Sequence, residues 1–333
     1  MTIGEWLAGI EGERDRVRYD PTELRDAAAE AVRGVPRERL PLRLAKRRIE
    51  LLNTCPRRAV AEASAGFDGS SELFLIGTLV ERAARMHLWN RYPAGDPDAV
   101  RAALVEHATA RGEILPELTD DVWETVTLRA DRFARSWKNP QRGVDIHVGE
   151  RLVVPLAHDA DGRPGVVLTG ITDVSIGAHV ASDPHQPRAV LELKSGRTPW
   201  NPLAESLWYQ FMVSATDGYA PHRVGVWSAV PNTDHHFGDL VDSPITTGSL
   251  ATATRWVSDA LVLVGALAAG EKPEERPSPL CRTCPDRSSC PSAATGLALG
   301  HASDAAAGLD DGLDDGLDWD DADRALGGDD AGA

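Results

Sequence analysis

Asp173 lies in the segment GITDVSIG, and nineteen residues later the segment VLELKSG carries Glu192 and Lys194. Both segments read as β-strands. In a strand, residues two apart face the same side, so Glu192 and Lys194 point together while Leu193 turns towards the core. If the two strands pair, Asp173 joins them on one face. Two carboxylates sharing a face form an oxygen-rich site suited to Mg²⁺ or Mn²⁺. Such an ion lowers the pKa of a bound water and screens a phosphate, and Lys194 can orient that water or stabilise developing charge. Glu-x-Lys by itself is as readily a salt-bridged strand edge. Here Val190, Leu191 and Leu193 make the strand read as buried, and buried charges need a partner that a metal can supply.

The four cysteines form a second constellation. Cys55 stands alone, and Cys281, Cys284 and Cys290 follow 226 residues later as C-x2-C-x5-C. One plus three is the count that a four-thiolate iron–sulfur site needs. Zinc also accepts four cysteines, although its sites usually build from two close pairs. Two disulfides would require an oxidising compartment, and MTIGEWLAGIEGERDR lacks the basic and apolar stretches of a secretory leader. The longest apolar run, Ala260 to Ala269, is too short for a bilayer. A reduced cytoplasmic protein with no membrane partner is the expectation.

These groups need elements to hold them. Residues 1–40 read as a charged helical extension, with Asp20 capping, Pro21 first in the helix and Glu23 third. Residues 41–140 read as helices interrupted near Tyr92-Pro93-Ala94-Gly95 and Leu115-Pro116. From 143 to 232 the chain turns β-rich: Arg151–Leu156 and Val166–Ile176 flank the hairpin signal Asp161-Gly162-Arg163-Pro164-Gly165. Ala189–Lys194 and Val224–Val230 are further strands, separated by a helix near Pro202–Thr216. A helix around Leu250–Ala269 leads into the clustered cysteines. The formal net charge is -16 over 333 residues, but residues 304–333 hold eleven Asp and one Arg, a net of -10. The other 303 residues carry only -6, so global charge does not exclude a polyanionic ligand. That acid-rich, repetitive tail cannot bury a core and is expected to be disordered.

Asp, then Glu-x-Lys, then a helix with a Gln, all enclosed by Cys and C-x2-C-x5-C, resembles the RecB-type branch of the PD-(D/E)XK nucleases over roughly residues 42–293. Within it the chain is similar to iron–sulfur members: CRISPR-associated adaptation exonucleases, the AddB subunit of helicase–nucleases and the nuclease domain of the eukaryotic Okazaki-fragment helicase–nuclease. The string Cys55-Pro56-Arg57-Arg58 matches their isolated first cysteine, followed by Pro and a basic residue. The resemblance implies an α/β restriction-endonuclease-like core, a central mixed sheet flanked by helices. It adds a helical insertion over about 72–140 and a 4Fe–4S cluster binding the terminal parts of a domain spanning 41–295, followed by a tail from 296 to 333. It also implies Asp173, Glu192 and the Leu193 carbonyl as ligands for Mg²⁺ or Mn²⁺, with Lys194 and Gln210 catalytic.

Two departures stand out. Where those families place a His four residues after a Gly, Glu81 follows Gly77, a harder ligand for the same ion. His87 then reads as a packing or surface residue. The families' Gln is commonly followed four residues later by Tyr, whereas Gln210 is followed there by Ser214. Arg43, Lys46, Arg47, Arg48, Arg57 and Arg58 form a basic stretch that can hold DNA phosphates, although such runs are often solvated faces. Arg132, Arg135 and Lys138 with Trp137 form a second such stretch, and Trp200 a stacking candidate. The implied activity is metal-dependent DNA hydrolysis, exonucleolytic on single strands, in repair or CRISPR adaptation, alongside a helicase or adaptation proteins. Two alternatives stand beside it: a catalytically silent DNA-end-binding subunit, and a zinc-stabilised scaffold.

Overall fold

The structure is a computed structural model, and it describes residues 2–10, 16–65, 72–137, 145–177, 188–197, 202–230 and 238–299. In chain order the elements are α1 (Ile3–Ile10), α2 (Thr22–Val32), β1 (Leu42–Leu44), α3 (Lys46–Thr54), α4 (Pro56–Ala65), α5 (Glu72–Leu88), α6 (Pro97–Ala110) and α7 (Asp120–Ser136). There follow β2 (Ile146–His158), β3 (Pro164–Gly177), β4 (Arg188–Arg197), α8 (Pro202–Asp217), β5 (Arg223–Val230), β6 (Asp239–Pro244) and α9 (Thr247–Ala268). The result is a mixed sheet with flanking helices. Two compact units share the described residues: those within 1–19, 69–152 and 171–250 form the first, and those within 20–68, 153–170 and 251–299 form the second.

In the first unit the C-terminal half of β3 runs antiparallel to β4, which runs parallel to β5, which is antiparallel to β6. Residues Ala189 to Leu193 of β4 and Val224 to Ala229 of β5 are buried without alternation, as strands covered on both faces must be. One of those faces packs Val174, Ile176, Ala189, Leu191, Leu193, Trp227 and Ala229 against Phe133 and Trp137 of α7 and its end, with Ile3, Trp6 and Leu7 of α1. The stretch over about 72–140 holds three helices, α5, α6 and α7. Val122, Trp123, Val126, Ala130, Phe133 and Ala134 line one side of α7 at three- and four-residue spacing, and Thr119 caps its first turn. The breaks predicted at 92–95 and 115–116 are the two connections between these helices.

In the second unit β1 runs parallel to the N-terminal half of β3, with Leu42, Arg43 and Leu44 opposite Val166, Val167 and Leu168. In the same unit Leu24, Ala28 and Ala31 of α2, Ile49 and Leu52 of α3, and Val257, Ala260 and Leu261 of α9 are buried. A Cβ at Gly265 would come within 2.3 Å of the Ala31 carbonyl oxygen, so α2 and α9 approach as closely as they do because that residue is glycine. By length and composition α9 can cross a bilayer, but half of its apolar stretch is buried in the protein. Asp20 acts one residue away from its predicted place: α2 starts at Thr22, whose N–H donates to the Asp20 carboxylate at 3.0 Å. The predicted hairpin is present, closed by Asp159, whose Oδ1 accepts the N–H groups of Asp161 and Arg163 at 2.9 Å each. Lys138, Trp200 and the acidic tail lie outside the described residues.

Candidate functional site

The register of β3 on β4 sets Val174 opposite Leu191, and its continuation by one residue sets Asp173 opposite Glu192. Both carboxylates therefore share one face, as the two-residue period of the strands requires. Asp173 is 3% exposed and Glu192 1%. Asp173 Oδ2 accepts the Leu193 N–H at 2.7 Å, which fastens the two strands at the point where chemistry would occur. Lys194 Nζ stands 3.0 Å from Glu192 Oε1 and 2.9 Å from Glu205 Oε1. Glu205 belongs to the first turn of α8, whose Tyr209 hydroxyl donates to the Ile171 carbonyl at 2.9 Å, two residues before Asp173.

From α5, Glu81 enters the same neighbourhood and is buried. Arg85, one turn further along α5, pairs with Glu81 and reaches Asp173 Oδ1 at 3.7 Å. Burial is the largest influence on the Asp173 carboxyl and drives its pKa well above the ordinary carboxylate range; the charges of Glu192 and Glu81 add to that rise. Arg85 and the Leu193 N–H pull in the opposite direction. A donor set of buried, mutually repelling oxygens fits a hard divalent cation. Among the described residues no three His, Cys, Asp or Glu side chains close tightly enough around one point to hold an ion as they stand. The Arg85 guanidinium lies between Glu81 and Asp173, so a cation entering there must displace it.

The helix after the Glu-x-Lys strand presents a different residue from the one expected. Gln210 is buried on α8 and donates to Ser206 Oγ at 2.8 Å, while its backbone carbonyl accepts the Ser214 hydroxyl. Those contacts run along its own helix, and the residue of α8 that reaches Lys194 is Glu205. A signal was available: Glu205 and Tyr209 stand four apart, the spacing sought for Gln and Tyr. Arg85 was also missed, and only its place one helical turn after Glu81 hinted at it. His87 is partly buried, its ring packed near Tyr92 and Phe133, and burial lowers its pKa.

The cysteines all belong to the second unit. Cys55 ends α3, Cys281 sits in a 3-10 turn over Pro279–Thr283, Cys284 follows that turn, and Cys290 ends a second one over Arg287–Ser289. All four thiols are free, and Cys55 and Cys281 are buried. Burial raises the Cys284 thiol pKa, and smaller contributions in the same direction come from Cys55 and Cys281; among the described residues the thiols do not close into a group that could hold a metal as they stand. Cys290 instead has its Sγ 3.8 Å from Glu275 Oε2.

The basic stretch around Cys55 is largely engaged inside this unit. Arg57 Nε donates to Asp286 at 2.6 Å and its Nη2 to the Ser289 carbonyl at 3.1 Å, and it also pairs with Glu275. Arg58 is buried, pairs with Glu62, and donates to the Leu280 carbonyl and to Thr283 Oγ1. Arg47 pairs with Glu62, Arg48 donates to the Ala59 carbonyl, and Lys46 is buried. Arg43 is exposed on β1. In the first unit, Arg132 donates to the Ala229 carbonyl and Arg135 pairs with Asp131.

Residues 43–291 match the family described as the PD-(D/E)XK nuclease superfamily. No curated protein matches the chain. Among solved structures, a candidate exonuclease from Eubacterium rectale is similar at 12% sequence identity and a TM-score of 0.44, covering 72% of this chain and 86% of its own.

Proposed function

Because the chain belongs to the PD-(D/E)XK nuclease superfamily, we propose that it is a Mg²⁺- or Mn²⁺-dependent deoxyribonuclease of the RecB type, acting as an exonuclease on single strands. The observation that carries this is the convergence of Glu81, Asp173 and Glu192 beside Lys194 in a buried pocket of charge. Asp173, Glu192 and Glu81, with the Leu193 carbonyl, would hold the cation. When bound, the cation supplies a lowered pKa for water and neutralisation of the scissile phosphate. Lys194 donates a hydrogen bond to the attacking water or to the charge developing on the phosphoryl oxygens. The Leu193 N–H keeps Asp173 turned towards Glu192. Apolar packing behind β4 keeps the strand from moving under the repulsion of its own charges.

Four free thiols in the second unit suit a 4Fe–4S cluster, with zinc as the other metal of matching donor chemistry. Its role would be structural, because phosphodiester hydrolysis transfers no electrons. The setting would be cytoplasmic DNA repair, recombination or CRISPR adaptation, with a helicase or adaptation proteins as partners. A second reading is a DNA-end-binding subunit whose site is silent, and the Arg85 bridge between Glu81 and Asp173 favours it. Purified protein and its Asp173→Ala variant, incubated with labelled single- and double-stranded DNA with and without Mn²⁺, separate the two. Metal-dependent cleavage by the wild type alone supports the nuclease; DNA binding without cleavage by either protein supports the silent subunit.

A further inference from the structure

Glu205 is buried and is placed by α8, an element outside the Asp and Glu-x-Lys strands. Its Oε1 is 2.9 Å from Lys194 Nζ, as close as the Glu192 oxygen at 3.0 Å. Two carboxylates therefore compete for one ammonium. Paired with Lys194 alone, Glu192 would have much of its charge cancelled and would be a poor ligand for a cation. With Glu205 on the other side, the ammonium is shared, and Glu192 keeps more negative charge towards Asp173. The same contact fixes where Nζ points, since α8 is anchored by buried Trp208, Phe211 and Met212 and by the Tyr209 bond to β3.

Resting on the proposed metal-dependent nuclease, we propose that Glu205 is a positioning residue that holds Lys194 and shields Glu192 from it, thereby setting the site's affinity for the cation.

The test is titration of Mn²⁺ alone, followed by the electron paramagnetic resonance signal of the unbound ion, with thermal unfolding recorded in parallel. Glu205→Gln keeps an acceptor for Lys194 and removes the charge; it should weaken Mn²⁺ binding at least about tenfold, a lower bound for loss of one nearby unit charge at an effective dielectric of about 20. Glu205→Asp keeps the charge and should retain affinity within about threefold by the same reckoning. At saturating Mn²⁺, Glu205→Gln should recover most of kcat with KM for DNA unchanged, whereas Glu205→Ala should not, because Lys194 is then no longer held. Equal Mn²⁺ affinity in wild type and Glu205→Gln would overturn the role of Glu205 and leave the nuclease intact. Equal losses in Glu205→Asp and Glu205→Gln would also overturn it, since charge would not be the cause. No Mn²⁺ binding by the wild type would remove the metal-dependent site itself, and this role with it.

Discussion

The carboxylate site and the cysteine segment are organised in opposite ways. Asp173, Glu192 and Lys194 sit on strands covered on both faces, one residue from a continuous ladder, with Phe133, Trp137 and Trp227 packed behind. Cys55 ends α3, the other three cysteines sit in or at the ends of short 3-10 turns that bury little apolar surface, and Cys284 and Cys290 are only partly covered. In the first region packing holds the charges, and a metal would be a guest. In the second, the arginines following Cys55 hold the turns, and a metal would be part of the fold. A sheet can position chemistry without its ligand, whereas a loop of turns needs cross-links.

The largest expected effect probes the packed region. Asp173→Ala, Glu192→Ala and Lys194→Ala should each reduce cleavage by about a thousandfold or more, as loss of a charge-stabilising group in a buried site does. Metal content of the cysteine region, measured on the same preparations, should stay at the wild-type level. Normal cleavage by all three would make the trio a structural ion cluster.

Next comes the cysteine region. Cys55→Ala, or stripping the metal with a chelator, should lower stability by about 5 kcal/mol, the scale for opening a cross-link over more than a hundred residues. Elemental analysis should find about four irons per chain, following the usual composition of such clusters; zinc without iron would replace the cluster by a zinc site. A Cys55→Ala protein with unchanged unfolding would show that the turns stand without a metal.

A sharper contrast comes from two arginines. Arg85→Gln removes a cation from between Glu81 and Asp173 and should tighten Mn²⁺ binding about tenfold, by removal of one opposing charge. Arg57→Ala should speed loss of metal from the cysteine turns while leaving DNA affinity nearly unchanged, because its guanidinium is engaged by Asp286, Glu275 and Ser289. A large fall in DNA affinity with metal retained would return Arg57 to the phosphate-binding role.

The smallest effect concerns pH. Burial depresses the His87 pKa below its ordinary value of 6.5, so the folded state resists protonation that the unfolded chain accepts. Its contribution is therefore complete above about pH 6.5 and declines as the pH falls below it. His87→Gln should flatten the dependence of Tm on pH between about 7 and 5, the range in which an unshifted imidazole titrates. An unchanged slope would assign the acid sensitivity to other groups.

Much of the architecture was legible locally. Strand periodicity alone put Glu192 and Lys194 on one side of β4, and the turn signal at 161–165 marked the hairpin that β2 and β3 make. Cysteine spacing grouped residues that the fold does keep within one compact unit. These are short-range properties, set by backbone dihedrals and by pattern over a few residues.

What neighbours what across the site depended on docking. Helical period left α8 free to present either Glu205 or Gln210; the packing of Trp208, Phe211 and Met212 and the Tyr209 bond to Ile171 turned Glu205 towards Lys194. Arg57 reads in sequence as part of a basic run, yet Asp286 lies 229 residues away and claims its guanidinium at 2.6 Å. Arg85 likewise meets Asp173 only because α5 packs against the β3–β4 pair that carries Asp173. A charge's partner is chosen by which surfaces exclude water together, and that is a property of the assembled core rather than of any segment within it.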